Sequence, residues 1–345
     1  MGSLVDYVVL TKPKVVVLLQ ITAICSVIVH DMLDSGLDSG SAETMIVVLV
    51  GGFLTAGGAN AINMWYDRDI DPRMTRTAGR PIPSGAVSAS SALVFGVVIS
   101  IAGVAWFLAL SNQIAAFWSA FSILFYVFIY SIWLKRSTPQ NIVIGGIAGS
   151  TPPLIGWAAC LNGVSISTDS ALLAIKSLFD LGSMMPWFMF VLIFLWTPPH
   201  FWALALYRSE EYADVGVPMM PNVKGSERTL KEMKIYSILL VVLSFGGPLS
   251  FGELDEGGNN YHLLGLTVVV LSFWYASTVW RIDISQQPDG NNRIPSAANS
   301  FFISMLYLAL MFVVLVTASF GTIGAVMGAL LAFTSIVRSE IRTSS

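Results

Sequence analysis

Charged residues are scarce in this sequence: Asp, Glu, Lys and Arg make up 11% of its 345 residues. Soluble globular domains carry about 25% charged residues, so the scarcity excludes an ordinary soluble domain. Hydrophobic residues make up 55% of the chain instead, and many are gathered in long runs. A run of about 20 apolar residues crosses a bilayer as a helix, whereas a membrane β-barrel has short alternating segments. We therefore expect an all-α, polytopic membrane helix bundle.

Cysteine and histidine are also rare, with two and three residues respectively. Cys25 and Cys160 both lie in apolar runs, where a free cysteine behaves as a small hydrophobic residue. We interpret them as packing thiols that predict neither a disulfide framework nor a Cys-based metal site. His30 and His262 fall at the ends of predicted spans and are interpreted as surface residues. Only His200 is then a candidate site residue among the histidines.

Ten apolar stretches are long enough to be membrane spans. They are 14–31, 45–66, 88–110, 113–134, 139–160, 183–206, 234–252, 261–281, 298–319 and 322–338. The last stretch is short and rich in small residues, so it is either a tenth span or an interfacial helix. The sequence therefore predicts nine or ten transmembrane helices.

The distribution of Lys and Arg predicts the orientation of the chain, because cytoplasmic loops carry an excess of both. With a cytoplasmic N-terminus and ten spans, 17 of the 18 Lys and Arg residues lie on the cytoplasmic side. Nine spans would place 15 there, so ten spans are favoured. Two cytoplasmic loops, 67–87 and 207–233, are longer and more polar than the others. We expect the functional site at these two loops.

A first polar group ends the second predicted span. Asn63, Asp67 and Asp71 are spaced four residues apart, so they share one helix face. Two carboxylates and an amide form an oxygen cluster that suits Mg²⁺, which also takes phosphate oxygens of a substrate. Three cations suited to a diphosphate follow at once: Arg73, Arg76 and Arg80. The alternative is a cytoplasmic cap in which acids and bases pair at the helix end without a ligand.

A second polar group follows the sixth predicted span. Glu210, Glu211 and Asp214 lie just beyond the helix, and Lys224 and Arg228 come next, as arginines follow the first group. Two acidic groups on one membrane face can each hold a Mg²⁺ and bind a diphosphate between them. An amphipathic, solvated loop would show the same pattern, so both interpretations stay open.

The sixth span contains the segment Trp196-Thr-Pro-Pro-His-Phe-Trp. Its two consecutive prolines interrupt the backbone hydrogen bonds of a helix and predict a kink. His200 lies about ten residues before Glu210, which is roughly 15 Å along a helix axis. A histidine inside a membrane is either an interhelical hydrogen-bonding residue or a residue that contacts substrate or ligates haem iron.

Three blocks of this sequence resemble the haem O synthase (protohaem IX farnesyltransferase) branch of the UbiA prenyltransferase superfamily. They are NMWYDRDIDPRMTRTAGRP, LKRSTPQNIVIGGIAGSTPPLIGWAA, and FLWTPPHFWALAL with its sequel YADVGVPMMP. The first is similar to the Asn/Asp diphosphate signature of the superfamily, and the other two are particular to the haem O synthase branch. The resemblance extends over about residues 5–320 and implies a UbiA-like fold.

The resemblance also implies roles for individual residues. Catalytic and diphosphate-handling roles are implied for Asn63, Asp67, Asp71, Arg76, Arg80, Lys135 and Arg136. Substrate contacts are implied for Trp196, His200, Tyr212, Lys224 and Arg228. Metal ligation is implied for Asp67, Asp71, Glu210, Glu211 and Asp214. The family usually has an Asp pair before the tyrosine where this chain has Glu210 and Glu211, so the metal-binding carboxylate of this group is not fixed.

The implied reaction is Mg²⁺-dependent transfer of a farnesyl group from farnesyl diphosphate to a vinyl group of haem b, which gives haem O. The implied partners are these two substrates, the lipid bilayer and a haem A synthase or terminal oxidase that receives the product; we expect no nucleic acid partner. Residues 1–320 would form the prenyltransferase domain and 321–345 a C-terminal extension.

Three other functions compete with this expectation. A prenyltransferase with another acceptor, such as a quinone precursor, would keep the first polar group but not the haem O synthase blocks. A cation-coupled transporter would place its polar site near the midplane on broken helices, whereas these carboxylates cluster at one membrane face with arginines. An assembly factor for an oxidase would explain none of the charged motifs.

Overall fold

The structure of the chain is a computed structural model that describes residues 2–74, 76–207, 216–247, 260–286 and 294–344. All regular elements among these residues are helices, as the apolar runs predict. In chain order they are α1 Leu4–Leu10, α2 Pro13–Asp34, α3 Ser39–Tyr66, α4 Ala89–Leu110, α5 Gln113–Leu124, α6 Asn141–Ser150, α7 Pro152–Cys160, α8 Ala171–Phe179, α9 Met185–Tyr207, α10 Met220–Lys224, α11 Ser226–Ser244, α12 Asn260–Trp280, α13 Pro295–Ser319 and α14 Thr322–Ser344.

Nine helical segments within the described residues are long and apolar enough to cross a membrane. They coincide with nine of the ten predicted spans, including the weak last one, which forms most of α14. The other predicted span, 234–252, overlaps α11, and its residues from 248 onward lie outside the described part of the chain. The prediction of an integral, multi-pass helical membrane protein is confirmed.

The outward faces of these helices are apolar, as a lipid solvent requires. On α4, Val94, Val98 and Ile101 expose 61%, 57% and 65% of their surface. The opposite face of the same helix carries small buried residues, among them Gly96 and Ser100. A water-soluble bundle would reverse this arrangement, because its polar side chains face outward. The helix surface therefore agrees with the bilayer interpretation of the sequence.

Small residues bring α3 and α4 close together. A Cβ atom placed on Gly58 would lie 2.7 Å from the carbonyl oxygen of Gly96, a distance that no real side chain tolerates. Membrane helices associate through such small residues because lipid offers no hydrophobic driving force between them. This contact fixes the position of α3, whose C-terminal end carries the first polar group.

The chain divides into two compact units. The first contains Met1–Asp31, Leu37–Gly182 and Glu210–Pro218, of which residues 216–218 are described in the last segment. The second contains Met32–Gly36, Ser183–Ser209 and Met219–Ser345. Most of α2 and all of α3 to α8 belong to the first unit, and α9 to α14 belong to the second.

Two predicted proline sites have different effects on their helices. At Pro152 the span is interrupted: α6 ends at Ser150 and α7 begins at Pro152, where the missing N–H costs no helical hydrogen bond. At Pro198 and Pro199 the helix α9 continues from Met185 to Tyr207. The α5 span changes character as well, since it continues as a π-helix over Phe125–Leu134.

The C-terminal helix α14 is held to its neighbours in the second unit. The carboxylate of Glu340 accepts hydrogen bonds from the indole of Trp274 at 2.9 Å and from the guanidinium of Arg281 at 2.8 Å. The carboxylate also raises the pKa of Arg281. Residues 322–344 therefore form an ordinary packed helix of this unit, and the predicted domain end at residue 320 stays a prediction.

Candidate active site

The first polar group lies where α3 ends. Asn63, Asp67 and Asp71 are all buried, with 2%, 1% and 2% of their surface exposed. The α-helix stops at Tyr66, and the chain continues in two 3₁₀ turns, Asp67–Asp69 and Asp71–Arg73. Pro72 lies inside the second turn, where it cannot extend an α-helix. The local sequence thus turns three polar side chains inward at one end of the span.

Both buried carboxylates are paired with cations. Nη1 of Arg80 donates to the two carboxylate oxygens of Asp71 at 2.9 and 2.7 Å. The ammonium of Lys135, just beyond the π-helix, donates to Oδ2 of Asp67. Burying unpaired carboxylates would cost several kcal/mol each, so these cations stabilise the group. The structure brings Arg80 and Lys135 together with the carboxylates, as the sequence predicted.

One carboxylate oxygen of this group has no hydrogen-bond partner. Oδ1 of Asp67 is fully buried and accepts no hydrogen bond; its nearest cation is Nη2 of Arg136, at 3.7 Å. Buried polar atoms are nearly always satisfied, and an orphaned carboxylate oxygen points to a bound ion as its partner. The donor set of two carboxylates and an amide fits Mg²⁺, which prefers oxygen ligands.

Asn63 is held by a short hydrogen-bond chain. Its side-chain amide donates to Oγ of Ser131 at 3.0 Å, and Ser131 donates to the carbonyl of Tyr126 at 2.8 Å. The carbonyl of Tyr126 is five residues before Ser131, within the π-helix of the α5 span. Such single π-turns often occur at functional sites. This arrangement leaves Oδ1 of Asn63 directed at a cation.

That cation is Lys12, which the sequence predicted only as a cytoplasmic charge. Its Nζ donates to Oδ1 of Asn63 at 2.7 Å. Lys12 has a φ of 52°, a left-handed conformation that is rare in residues other than glycine and costs backbone strain. The pKa of Lys12 is lowered to about 7, chiefly by burial and then by Arg80 and Lys135, while Asp67 and Asp71 oppose the shift. The only sequence signal for the contact between Lys12 and Asn63 was the position of this lysine directly before a predicted span.

The remaining basic residues of the loop lie at the periphery. Arg136 makes two parallel hydrogen bonds of 2.7 Å to Asp69 and covers the ring of Tyr66 at 4.5 Å. Asp69, whose side chain is 57% exposed, is therefore paired with Arg136 at the surface. Arg76 is exposed at the surface.

The second polar group falls largely outside the described residues. Glu210, Glu211, Tyr212 and Asp214 lie in the segment 208–215, of which the structure gives no description. Among the basic residues that follow, Lys224 is exposed at the end of α10, and Arg228 pairs with Glu232 at 2.5 Å, one turn along α11. Convergence of the two acidic groups stays a prediction.

His200 is buried between α9 and α13 of the second unit. Its ring stacks on Trp196 at 4.2 Å and on Phe301 at 4.8 Å, and Nδ1 hydrogen bonds with Oγ of Ser304 at 2.5 Å. The indole of Trp196 donates to the Ser304 carbonyl at 2.8 Å. These contacts match the interhelical role. They also leave Nε2 as the ring atom for a ligand, because a histidine ligand is usually oriented through its other nitrogen.

The arrangement in the first unit suits a polyanion bound together with a metal ion. Four cations surround three carboxylates there: Lys12, Arg80, Lys135 and Arg136 around Asp67, Asp69 and Asp71. The excess positive charge attracts an anion, while the buried carboxylates select a divalent cation. The acids and bases pair with one another, as the ligand-free alternative predicts, and the orphaned Oδ1 of Asp67 is the feature that this alternative does not explain.

The family comparison agrees with this geometry. Residues 23–292 match the model of the UbiA prenyltransferase family. A protoheme IX farnesyltransferase from Parvibaculum lavamentivorans is 41% identical over 319 residues, which cover 90% of this chain and 88% of the relative. One from Bartonella henselae is 40% identical over 318 residues, covering 92% and 91% of the two chains.

Solved structures agree at the level of the fold. A digeranylgeranylglyceryl phosphate synthase structure aligns over 92% of this chain and 99% of its own, with a TM-score of 0.69 and 19% identity. A UbiA homologue from Archaeoglobus fulgidus, solved with DMAPP and Mg²⁺, aligns over 92% and 99% with a TM-score of 0.57 and 16% identity. With the sequence match over most of its length, the chain belongs to the UbiA prenyltransferase family.

Proposed function

We propose that this chain transfers the farnesyl group of farnesyl diphosphate to a vinyl group of haem b, with addition of water, and so makes haem O. The observation that carries the proposal is the buried group Asn63, Asp67 and Asp71 with its cations at the end of α3. Relatives named protoheme IX farnesyltransferase, about 40% identical over nine tenths of the chain, support the choice of substrates.

We assign Mg²⁺ to the carboxylates of this group. Asp67 and Asp71 would hold the ion, with Oδ1 of Asp67 as the oxygen that has no other hydrogen-bond partner. Glu210, Glu211 and Asp214 would hold a second ion. When bound, Mg²⁺ neutralises charge on the diphosphate leaving group. The described residue Pro218, four positions after Asp214, accepts a hydrogen bond from Asn141 at 3.4 Å, and Asn141 is six positions after Lys135, which pairs with Asp67.

The basic side chains stabilise departure of the diphosphate. Three cations donate hydrogen bonds to the group Asn63, Asp67 and Asp71: they are Lys12, Arg80 and Lys135. In the substrate complex these donors would bind the diphosphate oxygens. The allylic carbon–oxygen bond breaks, and the diphosphate leaves with the electron pair. Negative charge on the leaving oxygens grows in this step, so fixed donors there lower the barrier.

The haem vinyl group then supplies the electrons for the new bond. Its terminal carbon attacks the allylic carbon of the farnesyl cation, and the cation left beside the haem ring takes up water with loss of a proton. The apolar helix faces protect the farnesyl cation from early capture by water. The hydroxyl group of haem O would come from this later water; we assign no general base to it.

We place haem b against α9. His200 would ligate the haem iron or contact the haem through Nε2, while Ser304 fixes the ring through Nδ1. Trp196, which stacks on His200, would complete the contact. Further substrate contacts are proposed for Tyr212, Lys224 and Arg228. Binding of the diphosphate is proposed for Arg76 and Arg136 as well.

The orientation and extent of the enzyme follow the same proposal. The N-terminus and both polar loops would face the cytoplasm, where most Lys and Arg residues lie. Residues 1–320 would form the prenyltransferase domain. A haem A synthase or a terminal oxidase would receive the product.

Extraction of haem after expression tests the proposal. Membranes from cells that express this chain should contain a haem heavier than haem b by one farnesyl group and one hydroxyl group, and membranes with the Asp67→Asn variant should not. A control assay offers the purified protein farnesyl diphosphate with an aromatic quinone precursor. Prenylation of that acceptor, with no haem product, would favour the other prenyltransferase; uptake of a cation without diphosphate turnover would favour the transporter.

A further inference from the structure

A second group of ligand-type side chains lies far from the diphosphate site. His30 and Asp31 are near the end of α2, and Cys160 is the last residue of α7. Lys12 precedes α2, so the separation of 18 positions between it and His30 places the two groups about 27 Å apart along the helix. The group therefore lies toward the opposite membrane face from the reaction site and takes no part in it.

The three side chains converge on one point. One ligand atom from each, a ring nitrogen, a carboxylate oxygen and a sulfur, all lie within 4.8 Å of one another. Nδ1 of His30 is 2.8 Å from Oδ1 of Asp31, and the two side chains are only 15% and 14% exposed. Trp157 meets the His30 ring edge-on at 4.9 Å and limits its rotation. His30 is thus not the surface residue that the sequence predicted.

The chemistry of these atoms is that of a borderline-soft metal ion. Sulfur, nitrogen and a carboxylate oxygen together match the ligands of Zn²⁺, whereas Mg²⁺ and Ca²⁺ take oxygen ligands. Cys160 is 8% exposed, and its thiol is within hydrogen-bond reach of the Gly156 carbonyl, at 3.4 Å, and of the Asp31 carboxylate. Packing alone does not require that a histidine, an acid and a thiol from two distant segments meet here.

We propose that His30, Asp31 and Cys160 form a Zn²⁺ site that joins α2 to α7. Three protein ligands leave a fourth position of the tetrahedral ion for water or a small ligand. On binding, the Cys160 thiol loses its proton to solvent, the His30 ring binds as the neutral imidazole, and the Asp31 carboxylate stays ionised. The site ties together two helices whose ligands are 130 positions apart in the sequence.

Titration of the purified full-length protein with Co²⁺ and then Zn²⁺ tests the site. Cobalt bound to a thiolate in a tetrahedral site gives a charge-transfer band in the near ultraviolet and strong visible bands. We expect one Co²⁺ per chain with these bands, and their loss when Zn²⁺ displaces it. Cys160→Ser should abolish the charge-transfer band, and His30→Gln or Asp31→Asn should weaken binding at least about tenfold.

Two controls keep the result interpretable. Cys25→Ser, which changes the other cysteine, should leave the spectrum unchanged. Prenyl transfer by Cys160→Ser should equal that of the parent protein, which shows that the variant folds and that the site is separate from the reaction. A parent spectrum without a thiolate band, or a band that survives in Cys160→Ser, overturns the proposal and reduces the group to a hydrogen-bonded polar contact.

Discussion

At the scale of the residue, the spacing of polar residues in the sequence predicted the first polar group of the site. Asn63, Asp67 and Asp71 recur every four residues and do form one buried group, but α3 ends at Tyr66 and the two aspartates lie in 3₁₀ turns, so the predicted single helix face is wrong. Lys12 escaped prediction because its position depends on the turn between α1 and α2 and on its positive φ. Tertiary placement of a single long side chain leaves no periodic signal in a sequence.

Lys12 makes a prediction about stability and pH. Its folded pKa of about 7 lies below the ordinary value of 10.5, so the unfolded chain binds the proton more tightly. The contribution of Lys12 to the free energy of unfolding therefore rises as the pH increases from about 7 to 10.5, and it is least favourable below pH 7. Melting temperatures across this range should climb more for the parent than for Lys12→Met. Parallel curves for the two proteins would contradict the lowered pKa.

Lys12 also makes a prediction about substrate. Lys12→Met should raise the KM for farnesyl diphosphate by roughly tenfold, because one charge-assisted hydrogen bond is worth about 1.5–3 kcal/mol. Lys14→Met is the matched control, since Lys14 is exposed and only two positions further along the chain. Equal KM values for the two variants would remove Lys12 from the diphosphate site.

An experiment separates the two roles considered for His200, the interhelical hydrogen bond and the contact with haem. His200→Gln should raise the dissociation constant for haem b at least about tenfold and leave the KM for farnesyl diphosphate unchanged, since glutamine loses the imidazole ligand. Ser304→Ala is the comparison, because it removes the hydrogen bond to Nδ1 and keeps the ring. If both variants lose stability equally and neither alters haem binding, His200 is an interhelical residue only.

At the scale of the element, hydropathy predicted the spans but not their internal irregularities. Nine spans follow directly from apolar length. The π-helix over Phe125–Leu134 was not predictable, because a run of apolar residues fits α- and π-turns equally. The seventh predicted span shows the limit of hydropathy: α11 begins at Ser226 among charged residues, eight positions before the apolar stretch does.

The hydrogen bond between Asn63 and Ser131 of the π-helix leads to a prediction about activity. Ser131→Ala removes the acceptor for the amide of Asn63 and leaves a buried donor unsatisfied, at a cost of about 1–3 kcal/mol. We expect prenyl transfer to fall roughly tenfold. Ser119→Ala is the control: that serine is equally buried, but it bonds within its own helix to Ala116. A smaller loss for Ser131→Ala than for Ser119→Ala would mean that the chain does not orient Asn63.

The α3–α4 contact makes a prediction about packing. Gly58→Ala should destabilise the protein by about 1–3 kcal/mol, because the added methyl group meets the backbone of α4. Gly79→Ala is the control, since its Cβ would enter open space. A melting temperature for Gly58→Ala equal to that of Gly79→Ala would contradict the close approach of these helices.

At the scale of the whole molecule, family membership was predictable and the assembled site was only partly so. Three blocks of sequence identified the family, and the match over residues 23–292 bears this out. The blocks did not reveal that His200 is enclosed by Trp196, Phe301 and Ser304, because the α13 residues lie a hundred positions away. Long-range packing of this kind is fixed by the complete fold.

Diphosphate release from farnesyl diphosphate by the purified protein, measured with haem b and with Mg²⁺ or a chelator, is the most direct test of the account. The parent protein should release diphosphate and form the farnesylated haem only when Mg²⁺ is present. The rate of diphosphate release by Asp67→Asn should be at least about a hundredfold lower than that of the parent, because the substitution removes a proposed metal ligand. The variant should remain folded, because the side-chain volume is unchanged. Equal rates for parent and Asp67→Asn, or full turnover in the chelator, would contradict the role given to the buried carboxylates.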